Sequence, residues 1–309
     1  MKKWKEEGVI LLKNILPSEL VYSAKRFMDE KYNLKNPPQA DFGSKNGELQ
    51  FPSSTILDKI TLHPNIIEIA ETYLNTKDIL LTQSDAWSKK GTDERNPQSN
   101  KDQRIHMDYG NHTFLHPPNF NNPEVIAMIV YLSDTEITGG GTAYVSKTDE
   151  TEELYKSPYI NMPGQNKYEF YNDKETAENY FKNLDKTIFK FREKLYKNET
   201  IIKAKPGDIL VYRLDVWHRG TPVKKNKIRH VMNLAYKKKE CFWINQWNPG
   251  WTKKMYYGKI EKIFKNLTPR QRELLGIPKP GDKYWNKENI KMLEYRYPGI
   301  DVGPYLSKL

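Results

Sequence analysis

The chain has little cysteine and no long apolar run. Its single cysteine, Cys241, excludes an internal disulfide and is typical of a reducing compartment, so we expect a cytoplasmic protein. No stretch approaches the roughly 18 consecutive apolar residues of a membrane-spanning helix, and the lysine-rich start of the chain has no apolar signal-peptide core. Internal repeats and low-complexity linkers are also absent. These absences favour a globular protein in which residues 1–309 form one domain.

Positive charge is in excess, with 50 Lys and Arg residues against 39 Asp and Glu residues. A basic chain can bind nucleic acid, an anionic membrane or a phosphate-bearing substrate. Here lysine is spread along the chain among Asn and Glu residues. The cluster at 224–227 falls in a predicted turn and is most simply a solvated loop. Zinc-finger and RNP patterns do not occur, so nucleic acid is disfavoured as a partner, although it stays open.

The periodicity of apolar residues divides the chain into segments. The pattern predicts a strand and helices over 1–77, strands over 78–145 and 200–240, a helical insertion over 146–199, and a C-terminal extension rich in Trp, Tyr and Pro over 241–309. The run 124–132 is almost continuously apolar, as in a strand that is covered on both faces. We therefore expect a mainly β core with helical additions. The insertion is a candidate lid over a substrate, and the extension is expected to wrap the core.

Two histidines and one aspartate form the most informative pattern. On the short predicted strand Arg104–Tyr109, His106 and Asp108 point to the same side because side chains alternate. A Pro-Gly turn at Lys205–Asp208 and the β-rich run after it predict that His218 ends a second strand. Two imidazoles and one carboxylate are the facial ligand set of non-haem Fe(II), which leaves positions open for a co-substrate and O₂. A lone H-x-D pair carries little weight, and the surrounding elements carry the prediction.

Arg229 follows His218 by eleven positions and lies on a third predicted strand. Alternation along this strand places Arg229 on the same face as Val231, Asn233 and Ala235. A buried cation among such neighbours is costly unless it meets an anion. A guanidinium pairs with a carboxylate through two parallel hydrogen bonds. The distal carboxylate of 2-oxoglutarate is the candidate partner.

In this order and spacing, the four residues resemble the phytanoyl-CoA dioxygenase-like branch of the Fe(II)/2-oxoglutarate-dependent oxygenases. The segment 139–145 is similar to the glycine-rich strand of that family, and the segment 218–223 is similar to its turn after the second histidine. The stretch from 267 to 299 resembles the tails of bacterial members. The resemblance implies a double-stranded β-helix, the jelly roll of cupin-like proteins. It also implies Fe(II), 2-oxoglutarate and O₂ as cofactors and co-substrates, with ascorbate in support.

The resemblance extends to the predicted pocket. Gln83 is similar to the first residue of a Gln-Ser-x-x-Asn strand in ectoine-hydroxylase-type relatives, and Trp87 stands where those relatives have the Asn. The family often has a serine two residues after the second histidine, and Thr221, one position later, is expected to supply that hydroxyl. Gln83, Thr221 and Arg229 are therefore predicted to bind the co-substrate. The candidate pocket-lining residues are Trp87 and, from their positions in the sequence, Tyr131 in the apolar run 124–132 and His112 just past the strand of His106.

The predicted reaction is the hydroxylation of a C–H bond of a small-molecule or acyl substrate, with release of succinate and CO₂. Related halogenases have a small residue in place of the aspartate, so Asp108 favours hydroxylation or another oxidative outcome over halogenation. Three alternatives stay open: a non-catalytic metal-binding jelly roll, a cupin-like isomerase or lyase that does not use 2-oxoglutarate, and a nucleic-acid-modifying oxygenase. The sequence identifies neither the substrate nor the oligomeric state, because a fold does not fix the function of its variable loops.

Overall fold

The computed structural model describes residues 2–36, 48–91, 102–108, 123–155, 162–164, 168–241, 265–269, 272 and 277–309. The strands are β1 (Val9–Leu12), β2 (Glu48–Gln50), β3 (Ile79–Lys90), β4 (Val125–Tyr131), β5 (Thr142–Tyr144), β6 (Thr200–Ile201), β7 (Ile209–Arg213), β8 (His218–Gly220) and β9 (Ile228–Lys238). The helices are α1 (Lys2–Glu7), α2 (Ser18–Lys31), α3 (Thr55–Thr61), α4 (Pro64–Leu74), α5 (Thr135–Thr138), α6 (Lys174–Leu184), α7 (Lys186–Lys197), α8 (Lys287–Arg296) and α9 (Gly303–Leu306), with a 3₁₀ helix at Asp149–Tyr155.

The described strands form two antiparallel sheets. The larger sheet has the order β1-β7-β4-β9-β3-β2, and the smaller has the order β6-β5-β8. One hydrophobic cluster contains Ile129 and Val231 of the larger sheet together with Val145 and Ile202, which follow strands of the smaller sheet. The inner faces of the two sheets therefore share a core. The predicted mainly β class with helical additions is confirmed.

Strand β4 shows why the larger sheet is covered on both faces. All seven of its residues are buried. Because side chains alternate along a strand, Ile126, Met128 and Val130 enter a cluster with apolar residues of α2, α3 and α4, whereas Ala127 and Ile129 face the core between the sheets. The apolar run of the sequence thus corresponds to a strand covered on both faces, as predicted, and the structure shows that the N-terminal helices cover one face and the core between the sheets covers the other.

The described part of the insertion contains the 3₁₀ helix Asp149–Tyr155 and the helical hairpin α6–α7. Asp173 caps α6 and Asp185 caps α7, each through a carboxylate that accepts hydrogen bonds from backbone N–H groups of the first turn. Phe181 of α6 packs with Ile188 of α7, and Leu195 joins the core between the sheets. The predicted amphipathic helices are therefore present, and their apolar faces pack against each other and against the core. The role of the insertion as a lid stays a prediction.

The described part of the C-terminal extension packs against the same core. Trp285, Tyr297 and Tyr305 belong to the cluster between the sheets, and the rings of Trp285 and Tyr305 lie 4.4 Å apart between centroids. The indole Nε1 of Trp285 donates to the Lys279 carbonyl at 3.0 Å. Residues 242–264 of the extension lie outside the described residues. No helix in the described ranges is long and apolar enough to cross a membrane.

The single-domain prediction can be tested by replacing Trp285 with alanine. If the extension and the sheets unfold together, Trp285→Ala lowers the free energy of unfolding by about 3–5 kcal/mol, the usual cost of emptying a buried aromatic site. Urea denaturation followed by circular dichroism should then show one cooperative transition at a lower midpoint. Leu306→Ala, at a side chain that is 49% exposed, is the control and should change stability by less than about 0.5 kcal/mol. A second, separate transition in the variant would contradict the prediction.

Candidate metal centre

His106 and His218 lie opposite each other in an antiparallel bridge. The N–H of His106 donates to the carbonyl of His218 at 2.9 Å, and the N–H of His218 donates to the carbonyl of His106 at 2.9 Å. A pair that exchanges both hydrogen bonds carries its two side chains on the same face of the sheet. The two imidazole rings therefore lie side by side, with centroids 4.5 Å apart.

Asp108 completes the cluster, two residues beyond His106 on the same face. Its Oδ1 lies 3.5 Å from Nε2 of His106, and its Oδ2 lies 3.4 Å from Nε2 of His218. Ligand bonds of about 2.1 Å to one ion separate neighbouring ligand atoms by roughly 3–3.5 Å. In the described ranges, these are the three His, Cys, Asp or Glu residues whose ligand atoms all lie within 4.8 Å of one another. The spacing therefore suits a single metal ion.

The backbone sets the tautomer of both histidines. Nδ1 of His106 lies 3.0 Å from the carbonyl of Arg104, and Nδ1 of His218 lies 2.9 Å from the carbonyl of Val216. A carbonyl oxygen can only accept, so each Nδ1 carries the ring proton and each Nε2 presents a lone pair. Both lone pairs then face the carboxylate of Asp108, which also has only lone pairs to offer. Because lone pairs repel one another, this buried arrangement calls for a cation between them.

Burial and mutual charge limit how many protons the site can hold. Burial, and then the charge of His218, lowers the pKa of His106 to about 4. Burial opposes the charged form of His218 as well, but the charge and hydrogen bonding of Asp108 prevail and raise the pKa of His218. The hydroxyl of Tyr212 donates to Oδ2 of Asp108 at 2.9 Å and so fixes the orientation of the carboxylate. The metal-free site therefore holds one proton more readily than two.

Arg229 lies in the wall of the same cavity and is only 3% exposed. Its Nη1 donates to the Gly140 carbonyl at 2.8 Å, and its guanidinium lies 5.2 Å from the ring centroid of Trp87. Nε and Nη2 are buried and have no hydrogen-bond partner among the described residues. Burial lowers the pKa of Arg229 to about 10, against the opposing effect of Tyr131. A buried guanidinium with unused donors is costly unless an anion binds it.

The glycine-rich strand makes room for this arginine. Gly140 has a φ angle of +72°, and a Cβ atom there would lie 2.7 Å from Cγ2 of Val223 and 3.0 Å from Cδ of Arg229. The left-handed backbone favours glycine, and the close approach of the arginine stem excludes a side chain. The resemblance of segment 139–145 to a glycine-rich family strand therefore has a steric reason in this chain.

Of the other predicted pocket residues in the described part of the chain, two line the cavity and two do not. Gln83 and Trp87 line the cavity, and Nε2 of Gln83 donates to Oδ1 of Asp85 at 2.8 Å. Tyr131 is fully buried and lies behind the cavity wall, where its hydroxyl donates to Oγ1 of Thr142 at 2.9 Å. The hydroxyl of Thr221 donates to the Gly141 carbonyl at 2.7 Å, and Thr221 does not line the cavity. His112 lies outside the described residues.

Several polar residues that line the cavity were not among the predicted pocket residues, although alternation places one of them, Asn233, on the face of Arg229. They are Gln103, Arg104, Thr142, Asn172, Tyr212 and Asn233. Arg104 shares the alternation of His106 and Asp108, so the strand pattern could have identified it. Asn172 carries no such signal, because the packing of the insertion brings its Oδ1 to within 3.0 Å of Nη1 of Arg104.

Comparison with known proteins places the chain in a family. The model of the phytanoyl-CoA dioxygenase family matches residues 4–231, a stretch that includes all four residues of the predicted site. None of the curated proteins matches the sequence.

Solved structures show the same fold at low sequence identity. The non-haem alpha-ketoglutarate-dependent carbocyclase SnoK from nogalamycin biosynthesis is 13% identical, with a TM-score of 0.55 over 82% of this chain and 88% of that chain. The epimerase SnoN, in complex with Fe3+, alpha-ketoglutarate and nogalamycin RO, is 11% identical, with a TM-score of 0.54 over 81% and 86% of the two chains. EctD from S. alaskensis, with 2-oxoglutarate and 5-hydroxyectoine, is 11% identical, with a TM-score of 0.50 over 76% and 74%.

These similarities agree with the two antiparallel sheets, and the predicted double-stranded β-helix is confirmed. Because the family model covers well over half of the sequence, the chain belongs to the phytanoyl-CoA dioxygenase family, and the predicted enzyme class, the dioxygenases that depend on non-haem iron and 2-oxoglutarate, is confirmed.

Proposed function

We propose that the protein hydroxylates a C–H bond of a small-molecule or acyl substrate. His106, Asp108 and His218 are the proposed iron ligands, and Arg229 is the proposed partner of the distal carboxylate of 2-oxoglutarate. One observation carries the proposal: a single cavity contains three converging metal-ligand atoms and a buried guanidinium with two unused donor nitrogens. A chelated keto acid with a second carboxylate is complementary to both ends of such a cavity.

The chain's own residues orient the reactants and keep the charges in place. When bound, iron and 2-oxoglutarate supply the oxidation by O₂ that releases succinate and CO₂. The carbonyls of Arg104 and Val216 hold the Nδ1 protons of the two histidines, so that both Nε2 atoms stay available for the metal. Tyr212 fixes the carboxylate of Asp108. Because these groups are already oriented and buried, binding of the ion requires little rearrangement.

Thr142 is a second proposed contact for the co-substrate, in place of Thr221. It lines the cavity that contains Arg229. Its Oγ1 accepts a hydrogen bond from the hydroxyl of Tyr131 at 2.9 Å, and the hydroxyl oxygen of Tyr131 accepts a hydrogen bond from the Thr142 N–H at 3.3 Å. The hydroxyl hydrogen of Thr142 is therefore available for another acceptor. A carboxylate oxygen bound to Arg229 is such an acceptor, whereas the hydroxyl of Thr221 already donates to the Gly141 carbonyl.

The alternatives differ in what they require of Arg229. A non-catalytic module or a metal-dependent isomerase that does not use 2-oxoglutarate has no need for a buried guanidinium with unused donors beside the metal ligands. A nucleic-acid-modifying oxygenase requires a basic groove and binding that weakens steeply with salt. The lysine-rich turn at 224–227 is exposed and lies outside the cavity wall. A small-molecule or acyl substrate therefore accounts best for the site.

The proposed role of Arg229 predicts a specific loss of co-substrate affinity. Removing one partner of a buried charge pair costs about 2–5 kcal/mol, so Arg229→Gln should weaken 2-oxoglutarate binding by about 30-fold or more. Anaerobic calorimetry of 2-oxoglutarate with the Fe(II)-loaded protein measures this, and metal affinity should stay unchanged. Arg26→Gln, at an exposed arginine that pairs with Glu30, is the matched control. Equal 2-oxoglutarate affinity in the wild type and in Arg229→Gln would refute the assignment.

The proposed ligands predict a joint loss of metal binding and turnover in His218→Ala. Without one of three ligands, Fe(II) affinity should fall by about 100-fold or more, since even the loss of a residue that only orients a ligand costs 10- to 100-fold. With Fe(II), ascorbate and O₂, the wild type should form succinate from 2-oxoglutarate, faster when a substrate is present, and His218→Ala should form none. His63→Ala, at the cap of α4, is the control. A ferrous wild type that forms no succinate with any member of a broad substrate panel would favour the non-catalytic module.

Metal affinity should depend on pH through one proton over a wide range. The pKa of His218 is raised above 6.5, whereas that of His106 is lowered to about 4. As pH falls from the pKa of His218 towards 4, the ion therefore has to displace a single proton, and the apparent affinity for Co²⁺ should fall about tenfold per pH unit. Above the pKa of His218 the affinity should level off. A loss of about 100-fold per pH unit in that window would mean that both histidines are protonated and would contradict the prediction.

A further inference from the structure

The helical hairpin α6–α7 holds the backbone on both sides of the proposed metal site. We propose that Arg192, Tyr196 and Glu199 form a brace that fixes the two histidine-bearing segments relative to each other. None of the three lines the cavity, so they are positioning residues and not catalytic ones. The inference rests on the proposed metal ligands and goes beyond them, because it assigns to the insertion a part in building the metal site.

The first arm of the brace, Arg192 and Tyr196, binds the backbone of Ile105, the residue before His106. Nη2 of Arg192 donates to the Ile105 carbonyl at 3.1 Å, and the N–H of Ile105 donates to the hydroxyl of Tyr196 at 3.0 Å. Both backbone polar groups of Ile105 are thus bound by side chains of α7. Glu178 of α6 joins the two side chains: it pairs with Arg192 at 2.7–2.9 Å and accepts the hydroxyl proton of Tyr196 at 2.7 Å.

Ile105 needs these partners because its segment does not continue as a regular ladder. His106 pairs with His218, and the N–H of Gln103 donates to the carbonyl of Gly220. Between these two points, the N–H of Arg104 donates to the Asn172 carbonyl of the insertion at 2.9 Å. Buried backbone groups must be hydrogen-bonded. Residues of the insertion, rather than residues of a neighbouring strand, bind the backbone N–H of Arg104 and the N–H and carbonyl of Ile105. The position of His106 therefore depends on the hairpin as well as on the sheet.

The second arm of the brace, Glu199, binds the side chain of Arg219, the residue after His218. Glu199, two residues beyond α7, binds Nε and Nη2 of Arg219 at 2.7 and 2.6 Å, a bidentate carboxylate–guanidinium pair. Nη1 of Arg219 pairs with Asp102, which precedes the His106 segment, and Lys174 of α6 lies 3.8 Å from the same carboxylate. One helical hairpin thus holds the neighbours of both proposed histidine ligands.

Tyr196 joins the two arms. Its ring contacts two cations, with Nζ of Lys174 4.2 Å and the guanidinium of Arg219 5.6 Å from the ring centroid. Its hydroxyl lies between Glu178 and the Ile105 N–H. A metal site tolerates displacements of its ligands of only about 0.5 Å. Loss of the Tyr196 hydroxyl should therefore loosen the metal ligands while the ring continues to fill its place.

The test compares two tyrosine-to-phenylalanine variants of the same hairpin. Tyr196→Phe removes the hydroxyl that binds the Ile105 N–H, and Tyr180→Phe removes a hydroxyl that accepts the backbone N–H of Glu169 at 3.2 Å, away from the histidine segments. Both residues are half-buried, so both variants should unfold at similar temperatures. Calorimetry with Co²⁺ alone gives the metal affinity, and the visible absorption of bound Co²⁺ reports its coordination geometry.

We expect Tyr196→Phe to bind Co²⁺ about tenfold more weakly, as for residues that orient metal ligands, with an altered absorption spectrum. Tyr180→Phe should match the wild type. Glu199→Gln tests the other arm and is expected to weaken binding about threefold to tenfold. Affinities of Tyr196→Phe and Glu199→Gln within twofold of the wild type, or an equal loss in Tyr180→Phe, would overturn the brace. A wild type that binds no Co²⁺ would instead refute the proposed ligands, so the two failures are distinguishable.

Discussion

The exchange of two backbone hydrogen bonds between His106 and His218 is the constraint on which the site depends. It joins two segments more than a hundred residues apart and forces two imidazoles onto one face, beside the carboxylate of Asp108. The backbone carbonyls accept hydrogen bonds from the Nδ1–H groups, so the lone pairs of the two Nε2 atoms and of the Asp108 carboxylate converge in a buried place. Such convergence is unfavourable in itself and becomes favourable with a cation. The site therefore favours a cation, either a proton, which His218 takes up most readily in the metal-free protein, or a metal ion.

Arg229, in the wall of the same cavity, poses the complementary electrostatic problem. Arg229 is a cation whose burial is opposed by desolvation. Its Nη1 donates to the Gly140 carbonyl, and its Nε and Nη2 have no hydrogen-bond partner in the part of the chain that the structure describes. The face of Trp87 provides partial compensation through a cation–π contact. An anion would provide the rest. A molecule that offers a carboxylate to Arg229 and oxygen ligands to the metal would therefore stabilise both ends of the cavity together.

Local pattern predicted the parts of the site that lie on strands. Alternation placed His106, Asp108 and Arg229 on inward faces, where the structure has them. Tyr131 also faces inward, but its hydroxyl donates to Thr142 and Tyr131 does not line the cavity. The Thr221 prediction came from the family resemblance, and the hydroxyl of Thr221 donates to the Gly141 carbonyl. The contacts of the α6–α7 hairpin with these strands depend on how distant segments pack, and no sequence spacing encodes that packing.

The insertion therefore affects both the wall of the cavity and the positions of the proposed metal ligands. Asn172, just before α6, lines the cavity and binds Arg104 through its side chain and its backbone carbonyl. The hairpin that follows holds Ile105 and Arg219 beside the histidines. A substitution that changes the cavity wall at Asn172 acts on the same short segment that carries His106. Changes in substrate preference and changes in metal affinity should therefore be coupled in this protein, because one segment of the chain supports both.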